Sequence, residues 1–403
     1  MNILGLDISL RSAKPLGNSV NDFFQSFSLG SSTGKSVTVE TALNFTAVYA
    51  CLKVISETVA QISIDVYKKT DNGSETDTNN PIQKIVHSSP NKIMTSAIFF
   101  EALTVNILTH GNGFALIKRN NKMVVTSLLL LDPAKVQVSV AEDGEELFYK
   151  IEGHEKHYPS ADIIHIPAMS FNGMLGKSPL KVHAEAVGLG LAEQEFAARY
   201  FANGAVVSGV ITRPGTMDMT AAEKLRKSWN KVYGGLKNSH RTAVLDAGMD
   251  YKQIGIDPEK SQLIESRKFS IQEISRIYRV PLHMISDLDK ATNNNIEHQS
   301  LEFAKYTMMP WLRKIEQELN RKLFKTKDVG ITYVRFNVES LMRGDIKSRA
   351  EFYVKMIQNG VMSPNETRQL EGMNKREGGD IYLTPMNLTT NPENITNPDN
   401  NGK

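Results

Sequence analysis

Cysteine is nearly absent from this chain of 403 residues, in which Cys51 is the only one. A single cysteine excludes a disulfide within the chain and any zinc site built from several thiolates, and it fits a reducing compartment. Long apolar runs are missing too, since no stretch reaches the roughly 20 residues that a membrane-spanning helix requires. The first residues, MNILGLDISLRSAK, lack the apolar core of a signal peptide. The sequence therefore predicts a soluble, cytosolic product without a membrane partner.

Neither sign of charge dominates the chain. Its 47 basic and 44 acidic residues leave a net charge of +3. Proteins that grip or read nucleic acid commonly carry a strongly basic surface, and this balance does not predict one. Apolar residues make up 40% of the chain, which is typical of globular proteins. Length and composition together predict two or three ordinary domains, or one elongated subunit with several parts.

Catalytic motifs are also missing. The chain has no G-x-S-x-G, no H-E-x-x-H and no carboxylates clustered at two-metal spacing. Residues 30–36 read GSSTGKS and imitate a phosphate-binding loop, which requires G-x-x-x-x-G-K-[ST]. Leu29 occupies the position of the first glycine, and Gly30 lies one residue too close. We therefore predict no enzyme activity and interpret this segment as a flexible serine–glycine linker.

The surroundings of the loop argue against nucleotide binding as well. A phosphate-binding loop opens a helix, whereas residues 37–39 are Val, Thr and Val, which begin a helix poorly. A leucine-rich run over 128–131 is followed by Asp132 and imitates the strand and acid that hold magnesium in such enzymes. Pro133 comes next, and an Asp-Pro pair ends a strand. No magnesium site is predicted there.

The first part of the chain is predicted to contain an arm and then a helix. Residues 1–43 show little periodicity and are rich in Ser, Gly and Asn, which predicts a flexible arm. A helix is predicted over about 44–60, because apolar residues recur there at helical spacing. The residues of this stripe, which we interpret as core, are Val48, Cys51, Leu52, Ile55 and Val59.

Strands and their connections are predicted from there to residue 167. Alternating apolar residues over 62–66 predict a half-buried strand, the stretch TDNGSETDTNNP predicts a surface loop, and 96–109 a helix. His154 and His157 lie three residues apart, but no third metal ligand is evident. We interpret their segment as the edge of a hairpin, without a metal.

Long helices around a small mixed unit are predicted next. Ser178 and Pro179 start a continuous helix of about 25 residues, roughly 37 Å long. Gly188 and Gly190 inside it each cost about 1 kcal/mol relative to alanine, which predicts that another helix approaches closely. After a small α/β unit, Asp257 and Pro258 start the second long helix, which Pro281 halts.

The small unit contains a helix over 220–233, which we expect to be opened by a capping box of Thr220 and Glu223. Lys224, Lys227 and Lys231 share one face of this helix. A solvated lysine stripe and a docking surface are both open interpretations of that face.

The segment 281–296 has no clear period, and a loop of that length is usually functional or disordered. A helix over 297–324 should be kinked by Pro310. After it we predict a strand at 331–338, a helix from Asp345, and a short helix capped by Ser363, Pro364 and Glu366. The polar tail from 387 is predicted to be disordered.

Eight segments, met in order, resemble the portal proteins (head-to-tail connectors) of tailed double-stranded DNA phages. Together they span about 44–385. They include AVYACLKVISETVAQISIDVYKK, GNGFALIKRN, DIIHIPAMSFNGMLGKSPL, EQEFAARYFANGAVVSGVI, RKFSIQEISRIYRVPLHMIS and LMRGDIKSRAEFYVKMIQNGVMSPNETRQLEGM.

The resemblance implies an α+β portal-type fold that assembles as a ring. By position, its parts would be a flexible N-terminal arm at 1–43, a wing at 44–177, a stem helix at 178–205, a clip at 206–257, a second stem helix at 258–280, a tunnel loop at 281–296, a long kinked wing helix and strand at 297–344, a helical crown at 345–386 and a disordered tail at 387–403.

The resemblance also implies a function. Such proteins form rings, usually of twelve subunits, at one vertex of the capsid in the virion, after assembly in the host cytoplasm. A separate terminase pumps DNA through the ring, and the DNA later leaves through it to the tail. The implied partners are further copies of the chain, the terminase large subunit, the major capsid protein, a head–tail adaptor and double-stranded DNA that passes non-specifically. No cofactor or metal is implied.

Two sets of residues would serve this function. The tunnel loop would line the channel through Leu282, His283, Met284, Ile285, Asp287, Leu288, Asp289 and Lys290. The clip would dock partners through Lys224, Lys227 and Lys231. The modest net charge fits a conduit, because every lysine or arginine contact with phosphate adds grip to DNA that has to slide.

Two other classes stay open. One is a different structural head protein, either a scaffold or a shell subunit. The other is an enzyme that acts on DNA or nucleotides, which would need a triad or a metal cluster that is not found.

Overall fold

The chain combines helices with antiparallel sheets, which confirms the predicted α+β class. A computed structural model describes residues 14–15, 31–71, 73–202, 209–233, 245, 248–253, 260–285, 293–325, 330–338, 346–371 and 373–383. The tail predicted from 387 and most of the arm up to residue 30 lie outside these residues. The chain divides into two units, Met1–Asn337 and Val338–Lys403.

The strands of the described residues form antiparallel sheets. Their bounds are β1 (Lys14–Pro15), β2 (Ile64–Thr70), β3 (Gly73–Thr76), β4 (Asn112–Arg119), β5 (Val125–Leu131), β6 (Val136–Val140), β7 (Leu147–Ile151), β8 (His157–Pro159), β9 (Ile163–Pro167), β10 (Gly209–Thr212), β11 (Asp250–Gln253) and β12 (Thr332–Phe336). The strand orders are β1-β6-β7-β8, β5-β4-β9, β12-β2-β3 and β10-β11.

The helices connect these strands or follow them. Their bounds are α1 (Val39–Leu43), α2 (Thr46–Gln61), α3 (Pro81–Gln83), α4 (Ser96–His110), α5 (Pro179–Val182), α6 (Ala184–Ala202), α7 (Met219–Tyr233), α8 (Lys260–Tyr278), α9 (Asn293–Glu302), α10 (Met309–Leu323), α11 (Ile346–Gln358) and α12 (Pro364–Leu370). None of the helices in the described part of the chain is both long and apolar enough to cross a membrane.

One apolar core lies between the sheets β5-β4-β9 and β1-β6-β7-β8. Phe114 of β4 and Ile163 of β9 meet Val138 of β6 and Tyr149 of β7 there. Strand β4 is buried on both faces, since Gly113 on its other side lies against Leu103 and Ile107 of α4. Burial of each large apolar side chain contributes about 1.5–3 kcal/mol, so this core fixes the sheets.

The leucine-rich run belongs to the same construction. It forms β5, which pairs with β4. Asp132 ends the strand, and its carboxylate accepts the backbone N–H of Ala134 at 3.0 Å, which caps the turn at Pro133–Lys135. The predicted strand end is thereby confirmed.

Helix α2 confirms the predicted apolar stripe. All five predicted stripe residues are buried, and Phe99, Phe100 and Leu103 of α4 are buried with them. Burial raises the pKa of the Cys51 thiol to about 12. The thiol therefore stays protonated and unreactive, as expected of a small apolar core residue.

One of the two connections predicted in this region differs from its prediction. The segment predicted as a surface loop contains β3, which pairs with β2 from Thr70 opposite Gly73 to Tyr67 opposite Thr76. Gly73 has a φ of +133°, which a side chain rarely allows. The predicted hairpin edge around the two histidines is confirmed: β8 is the outer strand of its sheet, and His154 bonds the Tyr158 hydroxyl at 2.7 Å.

The prediction of a flexible arm and linker up to residue 43 is wrong for residues 31–43. Gly34 turns the chain with a φ of +77°, and Thr38 caps α1 through the backbone N–H of Thr41 at 3.2 Å. Lys35 forms an ion pair with Glu195 of α6. These residues pack on the protein because their partners, far away in sequence, supply the contacts that a Ser- and Gly-rich segment lacks by itself.

The predicted continuous helix from 178 is also wrong. Ser178 caps α5 as predicted, but the helix breaks at His183, whose φ of −109° and ψ of +31° leave the helical region. Helix α6 therefore begins at Ala184 and is about 28 Å long. Neither glycine nor proline marks the break, so the local pattern could not reveal it.

Pro310 acts differently from the predicted simple kink. Residues Phe303–Met308 form a π-helical segment between α9 and α10, and the N–H of Met309 donates to the carbonyl of Ala304, five residues earlier. Since proline has no N–H to donate four residues back, the wider turn gives the preceding carbonyls other donors.

Helix α7 begins one residue earlier than predicted, and the N–H of Ala222 donates to the carbonyl of Asp218 at 3.0 Å. Thr220 thus lies inside the first turn and is not the cap. In the C-terminal unit the predicted helices are confirmed as α11 and α12, and the capping box of Ser363 and Glu366 is present.

Candidate functional site

Two long helices, α6 and α8, lie side by side. The carboxylate of Glu193 on α6 accepts hydrogen bonds from the hydroxyls of Ser266 and Ser270 on α8, the latter at 2.7 Å. Ser270 is buried, and so is Ala197 one turn further along α6. A carboxylate shared by two hydroxyls fixes the lengthwise register of the helix pair.

The two helices run antiparallel, because both meet the end of α4. The Ser178 hydroxyl, just before α5 and α6, donates to the carbonyl of Thr109 at 2.5 Å. At the other end of the pair in sequence, the Tyr278 hydroxyl of α8 donates to the carbonyl of Leu108 at 3.4 Å. Thus α6 begins where α8 ends.

The small unit between them lies at the opposite end of this helical hairpin. Strand β10 follows α6, strand β11 precedes α8, and the two pair in register from Gly209 with Gln253 to Thr212 with Asp250. Helix α7 packs on them, and Trp229 stacks on Tyr251 with ring centres 5.8 Å apart. Helix α6, about 28 Å long, separates this unit from the sheets in sequence.

The three predicted lysines lie together on α7. Lys224, Lys227 and Lys231 are exposed and fall on one face by helical spacing, while Leu225 and Trp229 on the other side are partly buried. Three cations on one face raise the local positive potential of a small unit. The geometry therefore offers a basic surface at the end of the hairpin.

The predicted loop 281–296 is only partly irregular. Residues Leu282–Ile285 form a single 3₁₀ turn, and the backbone from Asn293 is already helical in α9. Leu282, Met284 and Ile285 are half-buried. His283 bonds Gln299 of α9 at 2.8 Å. Four predicted site residues, namely Asp287, Leu288, Asp289 and Lys290, lie outside the described residues.

The exit from α8 into this turn is tightly held. Arg279 has a φ of +54°, which is unusual outside glycine, and its carbonyl accepts the Thr307 hydroxyl at 2.6 Å. The Ser275 hydroxyl donates to the carbonyl of Val280 at 2.5 Å, and Val280 is buried. The start of the 281–296 segment is therefore anchored to both α8 and the π-helical segment.

A buried polar network that the sequence did not reveal pins α10 to β9. Glu318 accepts the backbone N–H of His165 at 3.0 Å and pairs with Lys322, whose ammonium also donates to the carbonyl of Ile163. Arg321 donates to the other carboxylate oxygen at 2.7 Å. Burial lowers the pKa of Lys322, and the charge of Glu318 opposes this shift.

His165 completes the network on its other side. The Tyr149 hydroxyl lies 3.0 Å from Nδ1, and the Asn112 amide oxygen lies 3.0 Å from Nε2. Asn112 is oriented by Gly176, whose N–H donates to that oxygen at 2.8 Å and whose carbonyl accepts the amide nitrogen at 2.9 Å. Nε2 therefore carries the proton, and the tyrosine donates to Nδ1.

None of these groups forms a hydrolytic or metal centre. Among the described residues, no group of three His, Cys, Asp or Glu side chains lies close enough to hold a metal ion. What the arrangement offers is mechanical: two helices held in register, a small basic unit at one end, and an anchored segment at the other.

The comparisons with known proteins agree on one family. The family model described as phage portal protein matches residues 46–372. A portal protein of Enterobacteria phage HK97 is 32% identical over 381 residues, which cover 91% of this chain and 88% of the relative. A probable portal protein of Streptomyces phage phiC31 is 31% identical over 371 residues, which cover 88% of this chain and 81% of the relative.

Solved structures share the fold. A chain from the neck of an empty gene transfer agent particle matches with a TM-score of 0.61 and 20% identity, covering 91% of this chain and 98% of the other. An HK97 family phage portal protein from Corynebacterium diphtheriae matches with a TM-score of 0.57 and 16% identity, covering 75% of this chain and 96% of the other.

Proposed function

The chain belongs to the phage portal protein family, and from this membership we propose that it forms the ring-shaped channel at one capsid vertex. A separate terminase would package double-stranded DNA through the ring, and the DNA would leave through it to the tail. The match over residues 46–372 carries the proposal. Two of the similar neck structures were computed with sixfold and twelvefold symmetry, which supports a ring of twelve.

The helical hairpin gives each part of the chain a role in this ring. We assign the wing to 44–177, the stem to the helices within 178–205 and 258–280, and the clip to 206–257. The kinked helix and strand of 297–344 join the wing, and 345–386 form the crown. Antiparallel α6 and α8 support this assignment, because the clip then lies at the end of the hairpin remote from the sheets. A terminase could bind the clip there.

The channel would be lined by the tunnel loop, 281–296. Leu282, Met284 and Ile285 offer half-buried apolar surface, which has no affinity for phosphate. Asp287 and Asp289 repel phosphate, so duplex DNA would slide along the loop with little grip. The anchoring of Arg279 by Thr307 supports this role, since a segment that contacts moving DNA needs a fixed base.

The clip would be the docking surface for the terminase large subunit and later for a head–tail adaptor. The exposed face of Lys224, Lys227 and Lys231 supports this, because basic surfaces attract acidic partners and speed their association. The wing would contact the major capsid protein, so the protein would be part of the virion. Assembly would take place in the host cytoplasm. The protein would act as a structural part of the particle, and our proposal assigns it no catalytic residue and no cofactor.

Native mass spectrometry of the purified protein tests the ring. Twelve chains of 44.9 kDa should give a particle on the order of 540 kDa, closed by identical head-to-tail contacts as rotational symmetry requires. The measurement should be repeated at several micromolar concentrations and salt levels. Only monomers and dimers under all of these conditions would contradict the proposal.

A further inference from the structure

The connection between the sheets and α6 contains a helix break. Helix α5 ends at Val182, and the backbone of His183 leaves the helical region before α6 begins. Helices α5 and α6 therefore do not form one continuous helix. Something outside the connection must hold α6 in place.

Polar contacts from residues 31–45 hold α6 at two levels. The backbone N–H and the hydroxyl of Ser32 donate to the carboxylate of Glu185 in the first turn, at 2.9 and 2.8 Å. Lys35 pairs with Glu195, and both side chains are about one-third exposed, at 34% each. Ten residues separate the two glutamates, which is about 15 Å along the helix axis.

Between these levels, glycines form a notch in α6 that the same residues fill. The buried side chain of Ser31 occupies the place where Gly188 would carry a Cβ, and the buried ring of Phe45 occupies the corresponding place at Gly190. The Thr33 hydroxyl donates to the carbonyl of Gly188 at 3.3 Å. The predicted close approach at these glycines therefore exists, but its partner is not a second long helix.

We propose that residues 31–45 form a strap that positions α6 against the sheets, so that α6 is held by the strap on one side and by α8 through Glu193 on the other. Phe45 is also the first residue before α2, which ties the strap to the apolar core. These residues precede the family match at 46–372. The assignment of α6 as a stem helix rests on the proposed function. Under that assignment, the strap sets the direction of the stem in each subunit before the ring assembles.

Gly188→Ala is the central test, because the added methyl group would overlap Ser31. Alanine favours a helix more than glycine does, so weaker protection of α6 in this variant cannot come from a poorer helix former. Hydrogen exchange should become about tenfold faster or more in 31–45 and 184–191, while β4 and β9 stay protected. Ser31→Gly added to Gly188→Ala makes room again and should restore slow exchange.

Two further variants complete the set. Leu189→Ala alters the neighbouring residue, whose side chain is exposed, and should leave exchange in the strap unchanged. Ser32→Ala with Lys35→Ala removes the hydroxyl bond to Glu185 and the ion pair with Glu195 without adding bulk. This variant keeps the test informative if Gly188→Ala does not fold. Fast exchange of residues 31–45 in the wild-type protein would overturn the proposal.

The direction of α6 can be measured separately from its protection. Spin labels at Ile93→Cys and Ala202→Cys, both exposed positions, report the distance between the loop before α4 and the end of α6, since Cys51 is buried and unreactive. Labelled chains diluted with unlabelled ones should give a narrow distance distribution, broadened by Gly188→Ala and narrowed again by Ser31→Gly. An unchanged narrow distribution with a released strap would refute positioning. A particle of the wrong mass would instead contradict the ring and leave the strap untouched.

Discussion

His165 shows how one buried residue depends on pH. Burial, followed by the nearby charges of Lys322 and Arg321, lowers its pKa from 6.5 to about 3. The folded protein therefore holds the ring neutral, while the unfolded chain takes up a proton near pH 6.5. The stability from this neutral ring is fully present above that pH and is lost as the pH falls toward 3.

Replacing His165 by glutamine should make the free energy of unfolding depend less steeply on pH in the acid range. Glutamine keeps one donor and one acceptor for Asn112 and Tyr149 but cannot be protonated. Between pH 6 and 4 the wild-type protein should lose about 1.4 kcal/mol per pH unit more than the variant. Urea unfolding at several pH values measures the free energy of unfolding. If it falls equally steeply with pH in both proteins, His165 is not the group that takes up a proton on unfolding.

At this scale, sequence reasoning succeeds where the partner lies nearby in the chain. The stripe from Val48 to Val59 was predicted because its spacing is a local signal. Glu318 and Lys322 have the spacing of an ordinary surface pair, and only the distant strand β9 makes them buried. Ser32 and Lys35 were interpreted as linker residues for the same reason, since Glu185 and Glu195 lie far away in sequence.

Among the elements, α7 provides a test of docking. Reversing all three charges, Lys224→Glu, Lys227→Glu and Lys231→Glu, should weaken terminase binding by tenfold or more, since opposed charges become like charges, and should leave the ring intact. Binding to immobilised rings measures this. The matched control reverses three exposed lysines elsewhere, Lys69, Lys122 and Lys150. Equal binding by both triple variants would remove the α7 lysines from the docking surface.

The tunnel loop can be tested through its acidic residues. Asp287→Lys with Asp289→Lys should form normal rings but slow the passage of DNA, because new cations bind phosphate. The delay should shrink as salt is added, since ions compete for these contacts. Asp287→Asn with Asp289→Asn, which removes charge without adding cations, should show a smaller delay. Packaging and ejection at wild-type rates across all salt concentrations would show that the loop does not line the channel.

Some helix boundaries are predictable from local sequence signals, and others are set by tertiary packing. Ser363 and Glu366 announce α12 through a capping box, and the prediction is confirmed. No local sequence signal predicts the helix break at His183. Pro310 predicts that the regular helix is disturbed, but it does not predict the π-helical segment before it. Tertiary contacts decide these positions.

For the molecule as a whole, the order of segments carried more information than any single motif. The family match sets aside a scaffold and a shell subunit. Residues 31–36 of the segment that resembles a phosphate-binding loop belong to the strap in our proposal. Composition does not show that the chain divides into two units at Val338, and the crown from 345 stays a prediction. Boundaries between packed units depend on contacts that one sequence does not show.

The pairing of β2 with β12 has a consequence for synthesis. Val66 of β2 lies opposite Val334 of β12. One edge of β2 therefore stays unpaired during synthesis until β12 has been made. An unpaired strand edge can join other chains, and contacts this distant in sequence form slowly. Nascent chains stalled before residue 332 should therefore be cut by protease around β2 much faster than released chains, and would need shielding by chaperones until the last strand emerges.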